Sequence, residues 1–125
     1  MALNYPIRHL QRQDFNDEGI LINKNLLKHK KKTFVMLQGS FCGWCQKAKP
    51  AFQEVGDKLS DKFFIATIQA DGRISGEKEC NVLFRKIDPT FRGFPTYLLF
   101  DEEGKYIKTH NGGRDFDSLK KFLES

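Results

Sequence analysis

The run Thr33-Phe34-Val35-Met36-Leu37 is β-branched or apolar throughout, with no in-and-out alternation. A strand with that pattern has to be covered on both faces, so it belongs in the middle of a sheet. A different period begins just beyond it. From Cys42 onward Ala48, Phe52, Val55 and Leu59 recur at intervals of three and four, the spacing of a helix with one buried stripe. Pro50 falls inside this stretch, where it removes one backbone donor and crowds the carbonyl four residues earlier. A kink in one long helix is predicted, not two separate helices.

The rest of the chain extends this plan. Phe63 to Ala70 reads as a second buried strand, followed by a polar loop from Asp71 to Gly76 and a helix from Glu77 to Lys86. That helix carries Cys80, Leu83, Phe84 and Ile87 along one side. Two strands joined through a helix are expected to run parallel with a right-handed crossover. Thr96 to Phe100 and Lys105 to His110 flank Asp101-Glu102-Glu103-Gly104, which has the residue types of a hairpin loop, so these two strands should be antiparallel. Gly112-Gly113 leads into a terminal helix with Asp115 as its N-cap and Phe116, Leu119, Phe122 and Leu123 as its buried stripe. Before Thr33 there is no clean period. Asp14 to Gly19 reads as a loop, and Ile20 to Lys28 as a short helix running into the basic stretch Lys28-His29-Lys30-Lys31-Lys32. The expected whole is one domain, residues 1–125, with a core at 33–125 and an N-terminal extension at 1–32. Its fold class is α/β, a central mixed β-sheet flanked by helices on both faces.

Composition narrows the function classes. The 12 Phe, 3 Tyr and 1 Trp and a hydrophobic share of 39% are too much for a disordered chain, and 125 residues suit a single domain. The longest apolar runs, such as Tyr97 to Phe100, fall far short of the roughly 20 residues of a membrane helix. The polar start, with Asn4, Arg8, Gln11, Arg12 and Gln13, holds no signal-peptide core. A cytoplasmic protein with no membrane partner is expected. A net charge of +5 is mild, and no aromatic is interleaved with the lysine run, which reads as a solvated turn; nucleic acid is not an expected partner. Three cysteines in a chain without an export signal do not form a secreted disulfide scaffold, so a close pair is metal-binding or redox-active.

That pair is Cys42-Gly43-Trp44-Cys45, set where a buried strand gives way to a helix. Cysteines three apart on a first helical turn share a face, so their sulfurs can close and reopen a disulfide with little backbone movement. The unpaired N–H groups and positive dipole end at a helix N-terminus favour a thiolate. Cys42 is therefore the expected nucleophile, with a lowered pKa, and the inward-facing Cys45 the resolving thiol. The competing reading is half of a zinc site, which needs two more ligands. Cys80 sits in a helix stripe, as a core residue, and His9, His29 and His110 are scattered, so no metal is expected. Phe41 and Trp44, beside the nucleophile, are candidates for an apolar contact with protein substrates. Lys47 and Lys49 read as a solvated helix face.

A resemblance follows from longer stretches. Phe34 to Cys45, with Pro50 five residues after the second cysteine, resembles the active-site strand and helix of the thioredoxin family. Arg92-Gly93-Phe94-Pro95-Thr96-Tyr97-Leu98-Leu99-Phe100 is similar to its cis-proline loop and following strand, and Gly112-Gly113 falls where a late glycine is usual. The likeness implies a thioredoxin-like fold over about residues 33–125. It also implies a cis Phe94–Pro95 peptide facing the cysteines, with Phe94 and Pro95 offering a substrate strand an edge beside Cys42. The implied activity is thiol–disulfide exchange in cell redox homeostasis, without an organic cofactor. The implied partners are protein disulfide or dithiol substrates and an external redox partner such as a reductase or glutathione, and a monomer is expected. Two departures stand out. Many members carry an acid six residues before the nucleophile that helps deprotonate the resolving cysteine, and Met36 stands there; Trp44 replaces the usual proline or histidine between the cysteines. The segment from Asp71 to Pro95 is also longer than in a minimal thioredoxin. The rival reading is a redox-weak binding module that keeps the fold and holds a protein partner in the Pro95 groove.

Overall fold

The computed structural model describes residues 2–40, 42–70, 79–91 and 93–125. The loop from Asp71 to Gly76, the first two residues of the expected 77–86 helix, Phe41 and Arg92 lie outside the described residues. The elements in chain order are β1 (Arg8–His9), a 3-10 turn (Arg12–Asp14), α1 (Lys24–Leu27), β2 (Lys32–Gln38), α2 (Gly43–Leu59) and β3 (Phe63–Gln69). They are followed by α3 (Glu79–Ile87), β4 (Thr96–Phe100), β5 (Tyr106–His110) and α4 (Phe116–Glu124). The sheet order is β1-β3-β2-β4-β5, which puts the unalternating run of β2 at the centre. β2 is parallel to β3 and antiparallel to β4, and β4 and β5 form the antiparallel hairpin. The mixed sheet expected from the strand patterns is the one observed.

Alternation along these strands divides the core into two layers. Phe34 and Met36 of β2, Ile65 of β3 and Tyr97 and Leu99 of β4 pack against Cys45, Ala48, Phe52 and Val55 of α2 and Leu119 and Leu123 of α4. Val35, Leu37, Ala66, Ile68, Leu98 and Phe100 point the other way, onto Leu26 of α1 and Cys80, Leu83 and Phe84 of α3. Both faces of the sheet are therefore covered by helices. α2 runs unbroken through Pro50, as a single helix. Asp115 caps α4 by accepting the Ser118 N–H, which satisfies one of the helix's orphan donors.

The N-terminal stretch is woven into this core. β1 pairs in parallel with β3, through Arg8 with Ala66 and His9 with Thr67, and forms one edge of the sheet. Leu3 and Ile7 enter the α2 layer, while Leu10, Phe15 and Leu21 enter the other. The helix expected over Ile20 to Lys28 is shorter, because Leu21 is drawn into a bridge with Phe15 and Asn23 caps the turn by accepting the Asn25 N–H. Leu21 N–H also donates to the Gly104 carbonyl at 2.8 Å. Gly104 has φ +87, and a side chain there would strike the Leu21 carbonyl, so the β4–β5 turn is restricted to glycine on both counts.

Candidate active site

The parallel strand β2 ends at Gln38 and the chain turns into α2, whose N-cap is Cys42. The Cys42 sulfur does what a serine or aspartate oxygen does at other caps: it accepts the backbone N–H of Cys45, at 3.1 Å. On its other side the Cys42 Sγ–H donates to the Phe94 carbonyl at 3.4 Å. The Phe94–Pro95 peptide is cis. Thus the β2–α2 junction and the loop before β4 meet at one sulfur, although they lie 52 positions apart in the chain.

Cys42 is partly exposed, and Cys45, on the inward side of the same turn, is fully buried. Neither cysteine is joined in a disulfide in this structure. Burial, foremost, and the hydrogen bond and charge of Cys42 push the Cys45 thiol up to about 12 from an ordinary 9.0, against opposing contributions from the Gly39 backbone and the Lys49 charge. One thiol is thus open to solution at a helix mouth, and the second is held neutral behind it.

The surroundings have two sides. Trp44 is 62% exposed, with the Lys47 ammonium 5.0 Å and the Arg114 guanidinium 5.7 Å from its ring centroid. Together with Ala48, Ala51, Gly113 and Asp115, these residues line a cleft of about 520 Å³ between α2 and the start of α4. A second cleft, of about 340 Å³, runs along Phe91, Gly93, Phe94, Pro95 and Thr96, and Arg114 borders both. Arg114 is a site residue that composition and spacing did not single out; its only sequence signal is its place directly after Gly112-Gly113.

The structure brings Cys42, Cys45 and Phe94 into contact through the bonds above, with Pro95 beside Phe94 and Trp44 exposed between the cysteines. Phe41 lies outside the described residues. Lys49 departs from expectation: Lys47 is exposed, but Lys49 is only 8% exposed and belongs to the buried stripe of α2. The reason is helical phase. Lys49 follows Cys45 by four residues and precedes Phe52 by three, so it shares their face. Cys80 is fully buried in the layer on the far side of the sheet from the pair. Among the described residues no group of three or more His, Cys, Asp or Glu side chains is gathered as a metal site would require. His9, His29 and His110 lie apart, against the Leu3 carbonyl, the Phe64 ring and the Gly113 carbonyl respectively. Among the same residues no helix is long and apolar enough to cross a membrane.

The thioredoxin family model matches residues 9–125. The chain belongs to the thioredoxin family. It is 38% identical to thioredoxin-like protein 453L of Invertebrate iridescent virus 6 over 130 aligned residues, covering 94% of this chain and 92% of the viral one. It is 33% identical to protein disulfide-isomerase erp38 of Neurospora crassa over 78% of this chain, and spans 25% of that longer protein. Human ERp44 superposes with a TM-score of 0.67 at 16% identity, over 98% of this chain and 30% of its own, a likeness of fold. The family is one of thiol–disulfide oxidoreductases, and the mixed five-stranded sheet is the thioredoxin-like fold that the sequence resemblance implied.

Proposed function

We propose that this protein is a thiol–disulfide oxidoreductase of protein substrates, with Cys42 as nucleophile and Cys45 as resolving thiol. The observation that carries this reading is the pair of bonds at Cys42 Sγ: the sulfur is capped by the Cys45 N–H and lies against the Phe94 carbonyl. A substrate strand laid beside Phe94 and Pro95 brings its own disulfide to the Cys42 sulfur at the mouth of α2. Cys42 sulfur attacks, forming a mixed disulfide and expelling one substrate thiolate. Cys45 then attacks Cys42 Sγ, the Cys42–Cys45 bond forms, and the second substrate sulfur leaves, taking up the proton that Cys45 gives up. The substrate disulfide is reduced by two electrons and the pair is oxidised by two. A reductase dithiol, or two molecules of glutathione that leave as glutathione disulfide, resets it in a reducing compartment such as the cytoplasm. The reverse direction uses the same groups. Trp44 and Phe94 supply apolar contact area for the substrate chain.

Trapping tests the assignment of roles. Cys45→Ser should accumulate a covalent adduct with a disulfide-bonded protein such as insulin, and Cys42→Ser should not. Equal adduct yields from both variants would contradict it. One observation favours the binding-module reading: Met36, fully buried, occupies the place of the family's acid. Insulin reduction driven by dithiothreitol separates the two readings, because a module gives the same rate as its Cys42→Ser variant.

A further inference from the structure

The role assigned to Cys45 poses a chemical problem. It has to become a thiolate to attack Cys42, yet it is fully buried in an apolar layer. The residue one might look to on β2 is Met36, which cannot accept a proton or stabilise a charge. Two polar groups nevertheless enter this layer from other elements. Lys49 lies one turn behind Cys45 on the same face of α2, more than nine-tenths buried. Its ammonium acts on the Cys45 thiol in the direction that favours the thiolate. From β4 comes Tyr97, which stands directly opposite Met36 in the antiparallel register. Tyr97 is 2% exposed and shares the core cluster with Cys45, and its hydroxyl has no hydrogen-bond partner among the described residues. The phenol is held in its protonated form by burial, so its O–H is available to donate. Its electrostatic neighbours are Arg114, Cys45 and Cys42.

We propose that Lys49 and the Tyr97 hydroxyl together stabilise the Cys45 thiolate in the resolving step, in a chain whose β2 offers no acid to assist its formation. A buried donor without a partner is a cost while Cys45 is a neutral thiol, and it becomes an asset when a negative charge forms in the same layer. The same holds for a cation one helical turn from a thiol on the same buried helix face. Lys49 serves as a positioning residue by its charge and loses no proton. Among the described residues, the charged and titratable groups that face Cys45 or Tyr97 are few. α2 supplies Cys42 and Lys49, β4 supplies Tyr97, the turn before α4 supplies Arg114, and β5 supplies His110, which packs on the Tyr97 ring at 5.8 Å. The side chains brought to this layer by β2, β3 and α4, such as Phe34, Met36, Ile65 and Leu119, carry no charge.

This proposal rests on the resolving role given to Cys45 above, and its test is arranged so that either can fail alone. In a Cys42→Ser background, the ionisation of Cys45 is followed by NMR from the Cβ resonance of isotope-labelled cysteine as pH is raised. Lys49→Gln should move the midpoint up by about one unit, Tyr97→Phe by a smaller step, and Lys49→Arg should return it to the parent value. Should Lys49→Gln fail to fold, Lys49→Met, which keeps the buried stem, is read in the same way. With Cys42 intact, release of reduced substrate from the mixed disulfide should slow about tenfold in Lys49→Gln, the kinetic counterpart of one pH unit, while adduct formation at Cys42 keeps its rate. An unchanged midpoint in Lys49→Gln, or no recovery in a folded Lys49→Arg, overturns the proposal; an unchanged midpoint in Tyr97→Phe removes the hydroxyl from it. Failure of Cys45→Ser to trap an adduct would defeat the oxidoreductase reading, whereas the NMR titration uses no substrate and decides on Lys49 independently.

Discussion

Cys45 and Cys80 are both fully buried cysteines that face the same sheet from opposite sides, and they differ in everything that matters for chemistry. Cys45 sits on the first turn of α2, bonded through its N–H to a second thiol, with a buried lysine behind it and, in its layer, a phenol without a hydrogen-bond partner among the described residues. Cys80 sits in α3, whose other buried residues are Leu83 and Phe84, in a layer that also holds Val35, Ala66, Ile68 and Phe100. Burial alone therefore does not distinguish a reactive thiol from a packing residue. The distinction lies in what the fold places within reach of the sulfur: a helix terminus, a partner thiol, and groups able to hold charge.

Breaking the comparison on the Cys45 side should have the largest effect. Cys42→Ser is expected to reduce insulin reduction to the uncatalysed background, with thermal stability little changed, whereas Cys80→Ala should retain the full rate; a loss of rate in Cys80→Ala would erase the contrast. Next in size is a change that both layers feel through the central strand. Phe34→Ala removes a fully buried ring in contact with the rings of Phe52, Tyr97 and Phe122, and should cost about 3–5 kcal/mol in denaturant unfolding. Asp88 sharpens the picture of the Pro95 side. This carboxylate, 6% exposed, accepts hydrogen bonds from Thr109 Oγ1 at 2.6 Å and from Thr90 N–H at 3.0 Å. Burial alone would raise its pKa, but the hydrogen bonds from Thr109 and Thr90 outweigh it and hold the carboxyl below its ordinary 3.8. A depressed folded value means a stabilising contribution that is fully present above the unfolded pKa and is lost as pH falls through the folded one. Asp88→Asn should thus cost about 1–3 kcal/mol at neutral pH. The gap to wild type should narrow as pH drops below 3.8, and a constant gap would contradict this assignment. The smallest effect is expected from the same Cys80→Ala change read as stability, about 1–2 kcal/mol for the shortened side chain in a packed layer.

Much of this arrangement was legible in the residues. β2, β3 and β4 announce themselves as apolar runs too short for helices, and α2 by a stripe of threes and fours ending at Leu59. The Cys42/Cys45 pair could be placed at the strand-to-helix junction because both elements around it carry a strong pattern. β1 could not be seen in the same way. It has two residues, both exposed, and it is held by backbone pairing with β3, which leaves no periodic trace. Lys49 was misread because a lysine in an amphipathic helix is ordinarily on the wet face; only the phase relative to Cys45 and Phe52 puts it inside. Tyr97 lay in plain view as one of four apolar-looking residues in β4, but its position across from Met36 depends on strand register, which a single chain of letters does not give.

The central claim is that Cys42 and Cys45, and not Cys80, exchange two electrons as a unit. Equilibration of the protein in graded mixtures of reduced and oxidised glutathione, followed by acid quenching and peptide mapping, tests it most directly. The account predicts one Cys42–Cys45 disulfide appearing along a single two-electron curve, with the Cys80 peptide remaining a thiol at every ratio. A pair that stays reduced across the whole range, or a disulfide that includes Cys80, would contradict it.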